Sequence, residues 1–148
     1  MIRPVARRLT VVVGLLVFGL LALGACASKP EPTLYQRLGG TEGIAAVVDE
    51  FVDNVRADPR INKRFEGVDL NHTKAMLTDL VCQASGGPCK YTGRSMKDVH
   101  RGMNISNAEF DDMMSDMSKT LDNFQIPPRE HNDVMSLLVS MRGDIVGQ

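Results

Sequence analysis

The chain has 148 residues, with 17 lysines and arginines against 18 aspartates and glutamates and a formal net charge of −1. No stretch is strongly basic, so the electrostatic footprint of a nucleic-acid-binding protein is missing. No alternating strand pattern and no internal repeat is present, which leaves an all-α single domain as the expected class.

Arg3, Arg7 and Arg8 form a basic start, and from Leu9 to Ala25 no residue is charged. That apolar run is short for a membrane span and fits the core of an export signal. It ends in "LGAC", residues 23–26, and small residues before a cysteine resemble a bacterial lipobox. Residues 1–25 are therefore read as a lipoprotein signal peptide, in preference to a plain signal peptide or an uncleaved anchor. Cys26 becomes the lipidated residue that ties the chain to a membrane. Residues 26–32 are a short polar tether, and residues 33–148 are the folded domain. The implied address is the periplasmic side of a bacterial cell envelope. Ala27 after the cysteine resembles outer-membrane rather than inner-membrane sorting.

In chain order, "TLYQRLGG" predicts one or two helical turns stopped by Gly39 and Gly40, with Thr41 as the cap of the next helix. There Ile44, Val47, Val48, Phe51, Val52 and Val55 keep a helical rhythm, and Pro59 closes it. "RINKRFEGVD" is irregular and holds one aromatic, Phe65. A further helix begins near Asp69 or Asn71. Its inner face is Leu70, Thr73, Leu77, Leu80, Val81 and Ala84, with Met76 beside them, and Gly86, Gly87 and Pro88 end it. A short helix carrying His100 follows the loop "CKYTGR". "SNAE", residues 106–109, is a capping box that opens a helix with Phe110, Met113, Met114, Met117, Leu121 and Phe124 inward. Pro127 and Pro128 open the last helix, whose inner face is Val134, Leu137, Leu138, Met141 and Ile145. His131 is read as exposed, and the acidic run "EFDDMMSD" as a solvated face.

Cys82 and Cys89 stand in "CQASGGPC". In an exported chain the turn between them favours a disulfide. A closed zinc site would need four ligands, and the spacing is not Cys-x-x-Cys.

His100 poses the chemical question. Met96, Val99, His100 and Met103 fall on one helical face, and the chain has nine methionines and no tryptophan. Methionine is flexible and polarizable, so such a lining is either an ordinary core or the wall of a large flat ligand. His100 is then either a core histidine bonded to a carbonyl or a ligand. One neutral imidazole suffices for haem iron, whereas zinc needs partners, and His72 and His131 are isolated. No nucleophile adjoins a base, and no glycine-rich phosphate loop is present.

"LYQRLGG", "FVDNVRADPRINKRFEGVD" and "GGPCKYTGRSMKDVHRGMNIS", with the spacing to the proline-opened last helix, resemble the group I truncated haemoglobins across residues 33–147. The resemblance implies a two-over-two helical sandwich around one haem b, with His100 as the proximal iron ligand. It implies Phe65 packed on the porphyrin and Lys90, Tyr91 and Thr92 near the anionic propionates, with Met96 and Phe51 also in the pocket. The chain departs from the family on the distal side. Val52 stands where many members have tyrosine, and Leu77 where many have glutamine, so Thr73 is the one polar side chain expected near a bound gas. Weak oxygen retention and easy autoxidation follow, because an oxygen ligand gains from a hydrogen-bond donor. Met76 stands where some members place histidine, so it either packs over the ring or ligates iron as a thioether.

The expected function is reversible binding of a diatomic gas such as oxygen or nitric oxide. The competing readings are a haem enzyme acting on nitric oxide, nitrite or peroxide, a His/Met-ligated electron-transfer protein, and a haem-free helical lipoprotein. A reductase or other redox partner is not identified by the sequence.

Overall fold

The computed structural model describes residues 29–148, and residues 32–148 form one compact unit. The signal peptide assigned to residues 1–25 and the lipidated Cys26 lie outside the described residues.

Helix α1 (Leu34–Arg37) starts at a reciprocal cap. The Thr33 hydroxyl accepts from Gln36 N, and Gln36 Oε1 accepts from Thr33 N. The chain then reverses at Gly39, whose φ of +85° is left-handed and costs glycine least. Helix α2 (Gly40–Ala57) follows at once, so Gly39 is its cap and Thr41 already lies inside it. The turn is so tight that a Cβ on Gly43 would sit 2.0 Å from Leu38 O. Thr41 Oγ1 bonds the Tyr35 hydroxyl instead of capping.

α2 buries Ile44, Val48, Phe51, Val52 and Val55. A 3-10 turn (Asn62–Phe65) leads to α3 (Leu70–Ala84), capped by Asp69, whose carboxylate accepts from His72 N. α4 (Met96–His100) is capped by Ser95, and α5 (Asn107–Asn123) opens on the expected Ser106–Glu109 box. α6 (Pro128–Ser140) starts on its proline, and a 3-10 turn (Arg142–Asp144) follows. Among the described residues the one β feature is a parallel bridge, Ile105 to Val146.

α2 packs on α3 and on α5, α5 packs on α6, and α1 touches α2 and α6. The result is the expected sandwich of two helices over two. α4 packs against the Arg142–Asp144 turn.

Several expectations change. Ala84 is exposed, and Phe124 is 38% exposed because α5 has ended before it. Met103 lies beyond α4 and is 38% exposed, so the face that begins at Met96 stops at His100. Ile145 is buried, yet from beyond the end of α6. His131 is not a free surface histidine, because its Nε2 meets Ser118 Oγ at 3.2 Å and ties α6 to α5.

The acidic run is not wholly solvated either. Asp116 is 7% exposed, and its Oδ2 is buried without a hydrogen-bond partner. Arg60 forks onto Asp58 and reaches Asp112 at 2.6 Å, but approaches Asp116 only to 3.9 Å. Burial, and secondly the Asp58 charge, push the Asp116 carboxyl above its ordinary value of 3.8.

Two outcomes are expected. Arg37 Nε bonds Glu130 at 2.7 Å, and its Nη2 bonds Asp133, so one cation joins α1 to α6. Arg37→Ala leaves the buried Glu130 unpaired and is expected to cost about 3 kcal/mol in urea unfolding. For Asp116, a raised folded pKa means that the folded state holds the proton more tightly. Its share of stability is then full below the unfolded value and is lost as pH rises through the folded one. Asp116→Asn is therefore expected to be more stable than wild type at neutral pH, by about 1 kcal/mol, and to melt at a higher temperature, with the gap closing in acid. Equal melting curves at pH 7 would refute this account of Asp116.

Candidate functional site

The site is built around α4. His100 is partly buried, and its Nδ1 lies 2.8 Å from the Met96 carbonyl one turn back. A carbonyl only accepts, so Nδ1 carries the proton and Nε2 keeps its lone pair. This is the arrangement in which a second hydrogen bond orients a ligating imidazole and raises its basicity.

α4 has five residues and cannot hold its own position. Its surroundings hold it. Arg64, from the 3-10 turn, donates from Nη1 to Met103 O at 2.9 Å and from Nε to Glu109 at 2.7 Å. The C-terminal segment pairs with the following loop, Gly147 N to Ile105 O at 2.9 Å and Asn104 N to Gln148 O at 2.8 Å. The Arg64 guanidinium, and then Ser106, hold the Glu109 carboxyl down at about 2. Nothing in "NKRF" or in the last four residues announces these roles. They depend on contacts between segments far apart in sequence.

Opposite in role is the inner row of α3. The helix buries only Val81 and Cys82. Thr73, Met76, Leu77 and Leu80 stay partly exposed. Leu77 and Phe65 pack on the main core cluster, which contains the buried Phe51 and Val52. Met96 belongs to a second cluster around Phe110, Met114 and Ile145. The two clusters share Met113, Met135 and Leu138. Met76 and Leu80 on α3 and Val99 on α4 belong to neither. These apolar side chains are partly exposed and packed into neither cluster, so they are available to cover a flat apolar group.

The expected polar donor is already committed. Thr73 Oγ1 donates to Asp69 O at 2.9 Å, so no hydroxyl proton is left for a ligand in the slot. Leu77 and Val52 have none to give.

The loop after α3 is pinned at several points. Cys82 and Cys89 bring their sulfur atoms within bonding distance, with Cα atoms 5.7 Å apart. Tyr91 N donates to Gln83 Oε1 at 2.8 Å, and the Tyr91 hydroxyl donates to Arg94 O at 2.7 Å. Lys90 and Thr92 are exposed. The loop thus offers the Lys90 ammonium and the Thr92 hydroxyl at the surface, suited to an anionic group, while the Tyr91 hydroxyl is spent on Arg94 O. A separate apolar cavity of about 20 Å³ lies between α2, α3, α5 and α6, bordered by Val48, Val81, Met117, Leu121 and Val134. None of its lining comes from α4.

The donor set fits haem: one imidazole with a free Nε2, an unfilled apolar row, an aromatic at Phe65, and cationic and hydroxyl groups at the rim. His100 would be the protein ligand to the iron. Among the described residues no cluster of three or more His, Cys, Asp or Glu could hold a metal ion by itself.

A family model described as bacterial-like globin matches residues 33–146. The group 1 truncated hemoglobin of Tetrahymena pyriformis is 31% identical over 82% of this chain and 99% of its own length. A group 1 truncated hemoglobin of Mycolicibacterium paratuberculosis is 30% identical over 79% of this chain and 87% of its own. The crystal structure of the Tetrahymena protein in its Fe(III) form superposes with a TM-score of 0.76, covering 79% of this chain and all of that one. The 2/2 hemoglobin of Synechococcus sp. PCC 7002, with covalently attached heme, gives a TM-score of 0.73 at 26% identity, over 78% of this chain and 98% of that one. Sequence and fold agree: this chain belongs to the bacterial-like globins, as a haem-binding globin of the truncated haemoglobin type.

Proposed function

We propose that the protein reversibly binds a diatomic gas, oxygen or nitric oxide, at haem b held on the periplasmic side of the cell envelope. The observation that carries this reading is the His100 ring. Its Nδ1 is committed to Met96 O, and it stands on a short helix with Val99, which packs into neither core cluster. When bound, the haem would supply an iron able to take up a gas. The chain's residues would do the rest. His100 would ligate the iron. Phe65, Leu77 and Met76 exclude water, and Lys90, Tyr91 and Thr92 receive the propionates. The two domain cysteines lie within bonding distance of each other, so neither thiol is free to attach haem through a thioether.

The distal wall is apolar by composition and by hydrogen bonding. Without a donor an oxygen ligand is held weakly, so the site suits nitric oxide binding or fast exchange better than oxygen storage. Dedicated turnover of oxygen with nitric oxide is disfavoured on the same ground. Leader, small-residue run and Cys26 support export as a lipoprotein, with the outer membrane favoured over the inner. In that oxidising space the Cys82–Cys89 pair would be a formed disulfide.

The first test is the visible spectrum of the haem-loaded protein, ferric and ferrous. A five-coordinate ferrous form, lost in His100→Ala, is expected. A six-coordinate low-spin ferrous form that Met76→Leu abolishes would replace gas binding by His/Met electron transfer. Leu77→Gln places a donor on the row and is expected to slow autoxidation about tenfold, the worth of one hydrogen bond to a partly charged acceptor. Unchanged autoxidation would show that distal polarity does not limit oxygen retention. Thiol titration of the oxidised mature protein without denaturant should find no reactive thiol, and two would remove the disulfide.

A further inference from the structure

Four cations follow α3 in close succession: Lys90, Arg94, Lys97 and Arg101. All four are exposed, and residues 90–101 hold one acid, Asp98. The rest of residues 33–148 carries nine cations against sixteen anions. The domain is thus acidic except along this run. Elsewhere cations are spent on carboxylates: Arg37 on Glu130, Arg60 on Asp58, Arg64 on Glu109, Lys74 on Asp49 and Arg142 on Asp111. In the run Arg101 has such a partner, Asp98, three residues back. Lys90, Arg94 and Lys97 form no ion pair among the described residues. A Ser95 hydrogen bond first, then the Arg101 and Arg94 charges, hold the Asp98 carboxyl below its ordinary value of 3.8. With Asp98 ionised, the run still keeps an excess of positive charge.

The chain enters the domain beside the start of this run. Tyr35 N donates to Ser85 O at 3.0 Å, and a Cβ on Gly86 would sit 3.3 Å from the Thr33 side chain. On the other flank, Cys89 is drawn to Cys82, and Tyr91 N donates to Gln83 Oε1. Thr33 and the neighbours of Lys90 are therefore fastened to the same end of α3. The seven residues 26–32 span at most about 25 Å when fully extended. An acylated Cys26 would keep the entry point at Thr33 within that reach of a bilayer.

We propose that residues 90–101 dock on the anionic headgroups of the membrane that holds the chain. Ammonium and guanidinium groups donate to phosphate oxygens, and each cation adds about fivefold to binding at an anionic surface. The acidic remainder of the domain is repelled by that surface, so docking selects one orientation, with the basic run towards the bilayer. Arg94, Lys97 and Arg101 carry the docking where Lys90 is spent on a propionate. An acidic protein would offer carboxylates to the same cations. The membrane is favoured because the tether keeps it always within reach, which turns a weak attraction into an intramolecular one. The inference rests on the lipoprotein reading above and adds to it the part of the domain that meets the membrane.

The test uses the mature chain, residues 26–148, made without its leader and so without acyl chains. Vesicles of equal phosphatidylglycerol and phosphatidylcholine are compared with phosphatidylcholine alone at low ionic strength. The chain is expected to sediment with the anionic vesicles only, and to be released by about 0.5 M sodium chloride. Arg94→Gln/Lys97→Gln/Arg101→Gln should bind about tenfold more weakly or worse, with unchanged circular dichroism, since all three side chains are exposed. Arg56→Gln/Lys63→Gln/Lys119→Gln removes as many exposed charges outside the run and should bind as wild type does. Equal sedimentation with both vesicles, or equal weakening in the two variants, overturns the proposal. No sedimentation with anionic vesicles overturns it and leaves an acidic protein as the occupant. The acylated full chain on the same vesicles is then cut with trypsin. Slower cutting after Lys97 and Arg101 is expected on anionic vesicles, and equal cutting on both overturns this inference alone. A chain recovered from cells with no lipid on Cys26 overturns the lipoprotein reading and this inference together.

Discussion

The structure depends on how little of α3 is covered. A helix with an apolar face normally buries it, because about 25 cal/mol is gained for each Å² of apolar surface removed from water. α3 buries Val81 and Cys82 near its end and leaves Thr73, Met76, Leu77 and Leu80 partly open. Its partner is α2, and the α5–α6 layer attaches to α2 through α5. The unburied row is a standing cost that a flat apolar cofactor removes. Folding and haem binding are linked for that reason, since a ligand that binds only the folded chain stabilises it by mass action.

The same opening makes the His100 segment difficult to build. A five-residue helix at the edge of a slot gains little from its own hydrogen bonds. Its position is set from outside, by Arg64 on the Met103 carbonyl, by the Glu109 cap of α5 and by the C-terminal bridge to Ile105. Arg142 lies 4.7 Å above the Phe110 ring and bonds Asp111, which fastens the C-terminal turn to α5. His100 is thus placed by charges and backbone pairings around it, while the apolar clusters hold the helices together.

The helices, the Ser106–Glu109 box and the proline start of α6 were legible because each rests on local chemistry: spacing, a cap, a fixed φ. His100 was legible as an imidazole on an apolar face, and the family resemblance gave it its role. The failures share a cause. The solvated reading of "EFDDMMSD" missed Asp116, which is buried near Asp58 and Arg60 from a distant turn. His131 looked isolated until α5 brought Ser118 to it. Thr73 has the right chemistry for a distal donor, but its hydroxyl turns back to Asp69 O, a choice made by rotamer and not by residue type. Thr41 lost its cap to Gly39 because the turn is one residue tighter than composition suggests.

Sulfur is divided between the two ends of the site. At the α3 end Cys82 and Cys89 come within bonding distance and shorten the loop that carries Lys90 and Tyr91. At the α4 end Met96 packs with Met113, Met114, Met135 and Met141 in the second core cluster. The two kinds of sulfur answer an oxidising compartment in opposite ways. An oxidised cysteine pair fixes the loop backbone and holds the rim in register. An oxidised methionine introduces a dipole where the fold needs apolar contact. A chain on the proposed envelope address therefore gains order at one end of its haem slot from the same surroundings that threaten the other.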